Sequence, residues 1–410
     1  MVLIADGKRY NSIDEYMEDR EKKGVKVTVS LYDAINEKEC GTATAVLEET
    51  AVLSQSNLLL PEGYSLYSTK DSSIVNPTVI IENGKATEQN YEVKIFKRNQ
   101  NGNIIIENIT GFNKIPSDLT EKYVLANDID LSANSLWNPI GWIDDNECEF
   151  TGEFDGAGYN ITGLKCDYSS YSASNVGLFA INAGTIKNLN VITSAVYGEN
   201  NIGIIAGDNK TGGVIENCHV SGPVKSTGDS GGGGGIAGVN SGIIRLCSVK
   251  SLIVGYFWTG GVTGKNFGTI DQSFFVGGIN SNLTDNTIIN IDIRYIGGIA
   301  GGTTGTISNS YAILTNYLKG YAGVGGIAGW NSGDTAENVY CAGTDKVYGG
   351  EYYKVDFGFT RTNPILHSGV LTSKTTSTGL TSIPSAFSSE LWDMNGKAYP
   401  TCPNLINNPN

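Results

Sequence analysis

Six near-copies of one glycine-rich phrase occupy the middle of this 410-residue chain. In chain order they read NVGLFAINAGTI, IGIIAGDNKTGGVI, GGIAGVNSGII, TGGVTGKNFGTI, IGGIAGGTTGTI and VGGIAGWNSGDT. Alignment on the small residue near their centre places six positions in one column: Ala180, Gly207, Gly238, Gly264, Gly301 and Gly329. The steps between these positions are 27, 31, 26, 37 and 28 residues. A recurring period of this length predicts a solenoid, in which one supersecondary unit stacks on the next.

Each unit contains two or three short β-prone runs that are broken by Gly or Asn, and no helix-forming stretch intervenes. Its length suits one turn of a right-handed parallel β-helix with three faces. Apolar residues one turn apart should then form continuous buried columns. The first predicted column is Leu178, Ile205, Ile236, Val262, Ile299 and Ile327. The second is Ile186, Ile215, Ile244, Ile270 and Ile307, with Ala336 in the last copy.

An asparagine follows the small column in five of the six copies, next to a turn glycine. These residues are Asn182, Asn209, Asn240, Asn266 and Asn331. Their amides can bond to the backbone or to the next amide along the stack. A structural ladder is therefore expected here, in preference to a ligand site.

The chain divides into four regions by pattern. Residues 1–25 are predicted to be a short helical lead-in, because Ser12 and Glu15 form a capping-box pair before Gly24. Residues 26–100 alternate as half-buried strands do and predict a small β-rich module. Residues 104–351 predict the β-helix, and residues 352–410, where the repeat stops, predict a cap over its last turn. The fold class is thus all-β, a right-handed parallel β-helix preceded by a small β-rich domain.

The phrases GGIAGVNSGII and VGGIAGWNSGDT resemble the GLUG repeat, as does the ordered series YVLANDIDLS, WNPIG and FTGEFDGAGYNITGL before them. The pattern departs from that repeat at Ala180, which replaces Gly, and at Thr303, which replaces Asn. The resemblance implies a bacterial surface protein, with a β-helix region like those that precede the protease domain of immunoglobulin-cleaving metallopeptidases. The segments LPEGYSLYS and ENGKATEQNYEVKIFKR loosely resemble mucin-binding-type modules of Gram-positive surface proteins.

Composition narrows the possible partners and compartments. A net charge of −14 and the lack of a basic run disfavour nucleic-acid binding. No stretch has the 18 or so apolar residues of a membrane span, so no membrane insertion is expected. The start of the chain is too short for a signal-peptide core, and a secreted or cell-surface protein without its leader is expected in preference to a cytoplasmic one. Of the seven cysteines, Cys218 and Cys247 share one repeat column and are predicted to be inward-facing core residues.

Motifs that carry chemistry are scarce, and the chain is predicted to be non-enzymatic and free of cofactors. It has two histidines, His219 and His367, and lacks the H-E-x-x-H zinc motif of the metallopeptidases with similar repeats. His219 is predicted to face outwards from a strand. The run Gly231 to Gly235 has no helix after it, which argues against phosphate binding and predicts a flexible turn.

The alternative to a non-enzymatic protein is a polysaccharide-cleaving enzyme. Because β-helix enzymes of this kind use acidic groups, carboxylates are its candidate catalytic residues. Asp128 and Asp130 lie two residues apart on one strand face, which makes them a calcium candidate and a less favoured catalytic pair. Asp144, Asp145 and Asp155 are further candidates. Structural roles at turns and sheet edges are expected for all of them.

Aromatic residues recur where each turn approaches the next: Tyr197, Tyr256, Phe257, Trp258, Tyr295, Tyr317, Tyr321 and Tyr348. They either fill corners or form a ridge against which sugar rings or protein side chains lie. The densest group, Tyr256, Phe257 and Trp258, is the predicted binding site, and the expected partner is a host or dietary glycan or an extracellular protein. Three functions remain open: an adhesin, a structural stalk or ancillary region of a larger surface enzyme, and a polysaccharide-cleaving β-helix. A monomer is expected.

Overall fold

The computed structural model describes two compact units, Met1–Lys114 and Ile115–Asn410. The described residues are 24–67, 73–88, 90–143, 146–280, 293–320 and 322–331, with short pieces at 3–5, 8–10, 12, 15, 336–337, 339–343, 347–348, 392–393 and 404–405. Most of the predicted cap over 352–410 thus lies outside them, as do Asp144, Asp145 and His367. Among the described residues, no helix is long and apolar enough to cross a membrane.

The first unit is built on a five-stranded sheet. Two long parallel strands, Val25–Asp33 and Tyr91–Lys97, lie at its centre, and antiparallel strands flank them on both sides. In spatial order the strands are Leu58–Leu59, Lys38–Leu47, Val25–Asp33, Tyr91–Lys97 and Tyr64–Leu66. Alternate residues of the first long strand, Val27, Val29 and Leu31, are buried in the apolar core. The alternation of apolar and polar residues within 26–100 therefore corresponds to a sheet with one buried face.

Short elements complete this unit. The pair Ala51–Val52 and Thr78–Val79 is antiparallel, as is the pair Ile81–Glu82 and Lys85–Ala86. The strand Ile104–Ile106 is followed by the one-turn helix Ile109–Phe112. Within the predicted lead-in, Leu3–Ala5 and Lys8–Tyr10 form an antiparallel hairpin, which the sequence pattern did not indicate. The Ser12 Oγ accepts from the Glu15 amide at 3.1 Å, and the rest of the predicted helix lies outside the described residues.

Residues 104–114 pack with the first unit. Asn36 explains this. Its Oδ1 accepts from the Glu107 amide at 2.9 Å, and its Nδ2 donates to the Ile105 carbonyl at 3.0 Å. Asn108 donates to the Asn36 carbonyl and caps the one-turn helix through Gly111. A buried side-chain network therefore ties this segment to the module.

The second unit is a parallel β-helix, as predicted. A seven-stranded parallel sheet collects one strand from each of seven successive turns. Its strands are Glu149–Phe150, Phe179–Asn182, Ala206–Asn209, Ala237–Asn240, Thr263–Asn266, Ala300–Thr303 and Ala328–Asn331. Their register pairs Ala206 with Ala237 and Asp208 with Val239, so the small column aligns as the repeated phrase predicts. Six copies of the phrase therefore correspond to six stacked turns.

A longer parallel sheet forms other faces of the same turns. Its strands in this unit are Lys122–Leu125, Ile129–Asp130, Glu153–Asp155, Asn160–Asp167, Thr185–Gly198, Val214–Ser221, Val224–Ser226, Ile243–Arg245, Ser248–Gly255, Thr269–Asp271, Phe274–Ile279, Thr306–Ser308, Tyr311–Lys319, Ala336–Glu337, Tyr340–Gly343 and Val347–Tyr348. The column from Ile186 to Ile307 is in register throughout and fully buried, and Ile307 pairs with Ala336. The column from Leu178 to Ile327 is buried to the same degree. Both predicted columns are confirmed.

A third set of short strands closes each turn, and we call it the corner sheet. It contains Ser174–Val176 and Asn200–Ile202, then Phe257–Gly260, Arg294–Gly297 and Ala322–Gly325. Gly233 bridges Ile202 and Thr259 between the two groups. The remaining elements of the second unit are the 3-10 turn Ile115–Ser117 and two antiparallel pairs, Trp142–Ile143 with Asn146–Glu147 and Trp392–Asp393 with Asn404–Leu405.

The predicted asparagine ladder is present inside the β-helix. Asn182 donates to Asn209, Asn209 to Asn240 and Asn240 to Asn266, with nitrogen–oxygen distances of 2.7, 2.7 and 2.8 Å. Asn266 donates to the Thr303 hydroxyl at 3.1 Å, so the one copy without Asn still supplies an acceptor. The four asparagines are completely buried. Buried amides need partners, and each turn here provides them for the next.

Breaking this ladder should destabilise the β-helix. In Asn240→Ala the Asn266 Oδ1 loses its donor and the Asn209 amide loses its best acceptor, while both stay buried. We expect a loss of about 2 kcal/mol in the free energy of unfolding, measured by urea titration. Asn240→Thr is the matched control, since Thr303 fills this role two turns later and should preserve the acceptor. Equal losses in the two variants would contradict a hydrogen-bonded ladder.

Two sequence-based expectations are wrong. The run Gly231 to Gly235 is not a flexible turn: it is buried, and Gly233 pairs with strands on both sides. His219 does not face outwards into solvent, because its side chain is 2% exposed. By contrast, Cys218 and Cys247 are buried free thiols in the core, as predicted.

Candidate functional site

One residue per turn of the corner sheet has a left-handed backbone conformation where an L side chain is disfavoured. The register places Asn175 beside Asn201, then Trp258 beside Tyr295. Their φ values are +53°, +56°, +48° and +62°. We call these positions, with Gly323 at φ +62°, the left-handed column. Asn and Gly tolerate this conformation, whereas an aromatic residue there is a strained exception.

The left-handed column explains why the central residue of the repeat is small. A Cβ added to Gly238 would lie 2.3 Å from the Asn201 carbonyl carbon, and one added to Gly301 would lie 2.3 Å from the Trp258 carbonyl carbon. The backbone of the preceding turn therefore passes directly against each of these glycines. This close approach fixes the position of the strained residue.

Trp258 is the centre of an aromatic cluster drawn from three successive turns. Its ring stacks on Tyr295 with centroids 4.2 Å apart and an interplanar angle of 19°. Trp330 meets it edge-on at 5.7 Å and 88°. The Trp258 ring also covers Gly302, where an added Cβ would lie 2.4 Å from Cζ3. All three rings remain partly exposed.

Lys265 completes the cluster. Its ammonium nitrogen lies over the Trp258 ring, 5.2 Å from the centroid, and donates to the Ser230 carbonyl. Partial burial lowers the pKa of the Lys265 amine below its usual value. We call Trp258, Tyr295, Trp330 and Lys265 the aromatic cluster.

The predicted site is only partly reproduced by this arrangement. Trp258 lies at its centre, and Tyr256 and Phe257 precede it in the chain and are partly exposed. The rings that contact Trp258 come from the next two turns, not from its sequence neighbours. Tyr197 pairs with Lys225 in the long sheet and does not extend a common ridge. Tyr321 and the side chains of Tyr317 and Tyr348 lie outside the described residues.

Trp330 and Lys265 were not predicted, although the aligned repeats contain the signal. The residue after the small column is Ile181, Asp208, Val239, Lys265, Gly302 or Trp330 in successive turns, and these positions are register partners. In the folded chain Gly302 lies between Lys265 and Trp330, its register partners in the turns before and after it. Tyr295 was predicted as an aromatic of the ridge but not as part of the site.

The candidate calcium ligands bond to neighbouring protein groups. The Asp128 Oδ1 accepts from the Asn160 amide at 2.8 Å and from its Nδ2 at 3.2 Å. The Asp130 Oδ1 accepts from the Ser132 amide at 2.8 Å, which lowers the pKa of this carboxyl. Where the structure describes the chain, no three His, Cys, Asp or Glu side chains gather as a metal site would require. The geometry thus gives both residues a turn-stabilising role.

Asp155 has a similar structural role. Its Oδ1 accepts from the Ala157 amide at 2.9 Å and from the Asn188 Nδ2 at 3.0 Å. Asn217 in turn donates to the Asn188 Oδ1 at 2.9 Å, and His219 bonds to the Asn217 Oδ1 at 3.2 Å. A second ladder therefore runs from Asp155 to His219 and uses the carboxylate as its first acceptor.

Comparison with known proteins gives one sequence relative of interest. Residues of this chain are 28% identical over 223 positions to halomucin of Haloquadratum walsbyi (strain DSM 16790 / HBSQ001), an alignment that covers 50% of this chain. The chain spans 2% of the length of halomucin. The similarity therefore concerns a small segment of a far larger protein.

No protein-family model matches the chain. Among solved structures, it is similar to a crystal structure from Bacteroides ovatus that is provisionally named an immunoglobulin A1 protease. The TM-score is 0.49 and the identity 19%, over 76% of this chain and 94% of the other. A likeness of this degree says nothing about activity.

Proposed function

We propose that this chain is a non-enzymatic region of a secreted or surface-attached bacterial protein, which binds a glycan or an extracellular protein through its aromatic cluster. The GLUG-like phrases and the similarity to a segment of halomucin support a surface or ancillary role. The single observation that carries the binding role is the occurrence of Trp258 and Tyr295 in the left-handed column.

The fold does not require aromatic residues at those two positions. The same column holds Asn175 and Asn201 in earlier turns, and asparagine fits a positive φ with little strain. An aromatic side chain there costs about 1–2 kcal/mol of backbone energy relative to Gly. Strain of this kind that stability does not explain is typical of functional sites.

The cluster has the chemistry of a contact surface. Partly exposed, stacked aromatic rings offer flat apolar area with little side-chain entropy to lose, which suits sugar C–H faces and protein side chains alike. Tyr295 covers one face of Trp258, so a ligand meets the exposed part of this ring together with Trp330 and Tyr295. Rings fixed by stacking are preorganised for such a contact.

The test is a pair of substitutions that relieve strain and remove the rings at once. Trp258→Asn and Tyr295→Asn restore the residue type of the earlier turns, so we expect unchanged or slightly higher thermal stability. Binding to an array of glycans, mucin and matrix proteins should fall about tenfold or more. Phe267→Ala, which removes an aromatic residue that is 53% exposed outside the cluster, is the control and should bind normally.

If the folded double variant binds as tightly as the unmodified chain, the aromatic cluster is not the binding site. Failure of the unmodified chain to bind any component at micromolar concentration would overturn the adhesion proposal. The second candidate, a stalk or ancillary region, would then be favoured by the continuous hydrogen-bonded ladders, which stiffen the β-helix without metal or cofactor.

The polysaccharide-cleaving alternative has the least support. The Oδ1 atoms of Asp128, Asp130 and Asp155 each accept hydrogen bonds from neighbouring backbone or amide groups, so one oxygen of each carboxylate has a structural role. New reducing ends or unsaturated products on a panel of acidic and neutral glycans would reverse this order of preference.

A further inference from the structure

Three cations on the described surface of the β-helix lie beside carboxylates. Lys187 lies 2.9 Å from Glu153, Lys210 lies 2.7 Å from Asp208, and Arg245 lies 2.8 Å from Glu216. Lys187, Glu216 and Arg245 are register partners in the long sheet and form a column of alternating charge. In a chain of net charge −14, carboxylates are plentiful enough to pair every exposed cation.

Lys265 differs from these residues. Within the described part of the chain its ammonium pairs with no carboxylate, and its hydrogen-bond acceptor is the neutral Ser230 carbonyl. Its register partners Val239 and Gly302 carry no charge. Asp229 precedes Ser230 in the chain but makes no ion pair with it among the described contacts. An ammonium held over Trp258 is thus left with an uncompensated positive charge.

We propose that the aromatic cluster binds acidic saccharides, with the Lys265 ammonium contacting the negative group of the sugar. This inference rests on the proposed binding function of the same cluster and adds the class of ligand. A uronic acid or a sulfated sugar combines the two features that the cluster complements: an apolar C–H face for the rings and an anion for the ammonium. A neutral sugar would match only the rings.

The overall negative charge of the chain does not prevent such binding. At physiological salt the screening length is about 8 Å, so a ligand at the cluster responds chiefly to charges within that distance. The partly buried position of Lys265 strengthens its interaction with an anion relative to a fully solvated lysine. Its lowered pKa agrees with an amine that lacks a compensating carboxylate. The distant carboxylates instead repel acidic chains elsewhere, which favours this one site.

The experiment compares matched polymers that differ in charge alone. Polygalacturonate is paired with its fully methyl-esterified form, and dextran sulfate is paired with dextran, so that carboxylate and sulfate sources are separated. We expect the full chain to bind at least one acidic member about tenfold more tightly than its neutral partner, and the difference to shrink as salt is raised.

Lys265→Met keeps the aliphatic stem over Trp258 and removes the charge. It should lower affinity for the acidic polymer about tenfold and leave any binding to the neutral partner unchanged. Lys265→Arg should retain the preference. Lys225→Met, which removes the same charge from a position in register with Tyr197 and outside the cluster, is the control and should retain full affinity. Circular dichroism and melting temperature establish that each variant is folded.

The outcomes separate this inference from the function on which it rests. Equal binding of acidic and neutral partners that is lost in Trp258→Asn would overturn the acidic class and keep the binding site. An acidic preference that Lys225→Met abolishes as fully as Lys265→Met would also overturn it, because general charge would then explain the effect. Absence of binding to every polymer, mucin and matrix protein would overturn both.

Discussion

Gly238→Ala is expected to lower the free energy of unfolding by about 3 kcal/mol or more. The new Cβ would lie 2.3 Å from the Asn201 carbonyl carbon and 2.3 Å from the Ile202 nitrogen. Both are backbone atoms of the preceding turn, so no side-chain rotation can relieve the contact. The two turns would have to separate, which weakens the ladder between Asn209 and Asn240. Urea titration and hydrogen exchange of the neighbouring strands measure the loss.

Two controls distinguish this collision from a general effect of changing glycine. Gly212 has φ +90° and no atom within 4 Å of an added Cβ, so Gly212→Asn should change stability by less than about 1 kcal/mol. Ala180 holds the same column in the first copy and already carries a methyl group, so Ala180→Gly should have a modest effect from lost packing. If Gly238→Ala proved as mild as Gly212→Asn, the close approach of turns would not be what keeps this column small.

The register of the β-helix could be predicted because aligning the six copies of the repeat also aligns the residues that pair between turns. Gly238 and its counterparts are constrained by the backbone of the neighbouring turn, so the same small residue must recur once per turn. The Ile186 column and the Asn209 ladder follow from that alignment at fixed distances along the strand. A contact that recurs in every turn selects the same residue type in every copy of the repeat. The glycine column, the isoleucine column and the asparagine ladder could therefore be predicted and were confirmed.

The left-handed column could not be predicted, because what its members share is a backbone angle and not a side-chain type. Asn201 and Gly323 are ordinary choices for a positive φ, whereas Trp258 and Tyr295 are among the least expected. The clustering of Lys265 and Trp330 around Trp258 depends on contacts across turns. Sequence therefore located one member of the site and missed the neighbours that define its chemistry.

The burial of His219 shows a different limit of sequence patterns. Alternation along a strand tells which side of the sheet a residue faces, but not whether that side is covered. Its register partners in the neighbouring turns, Asn190 and Ser248, are both 3% exposed, and Phe274 and Tyr311 further along the column are completely buried. The column that holds His219 is thus buried along its length, and a titratable ring is enclosed with it.

That enclosed ring should make the stability of the β-helix depend on pH. Burial lowers the pKa of His219 to about 4, from 6.5 in an unstructured chain. Its ring nitrogens bond to the Ser248 hydroxyl at 2.8 Å and to the Asn217 Oδ1 at 3.2 Å, neither of which is charged. Between pH 4 and 6.5 the unfolded state therefore binds more protons than the folded state, and stability rises with pH across this window. We expect the free energy of unfolding to be about 2.5 kcal/mol lower at pH 4.5 than at pH 7.5.

His219→Asn isolates this contribution, because Asn190 occupies the same column one turn earlier and shows that the residue fits. Urea titrations of the two proteins at pH 4.5, 5.5, 6.5 and 7.5 should give free energies of unfolding that agree near neutral pH and separate towards low pH, where only the unmodified chain loses stability. Asp130 and Asp167, whose pKa values are lowered by hydrogen bonds from Ser132 and Ser169, lose their contribution only below pH 3.8 and leave this window undisturbed. An equal slope in the variant would assign the pH dependence to groups other than His219. A flat profile in the unmodified chain would mean that the buried ring acquires its proton without opening the turn that contains it.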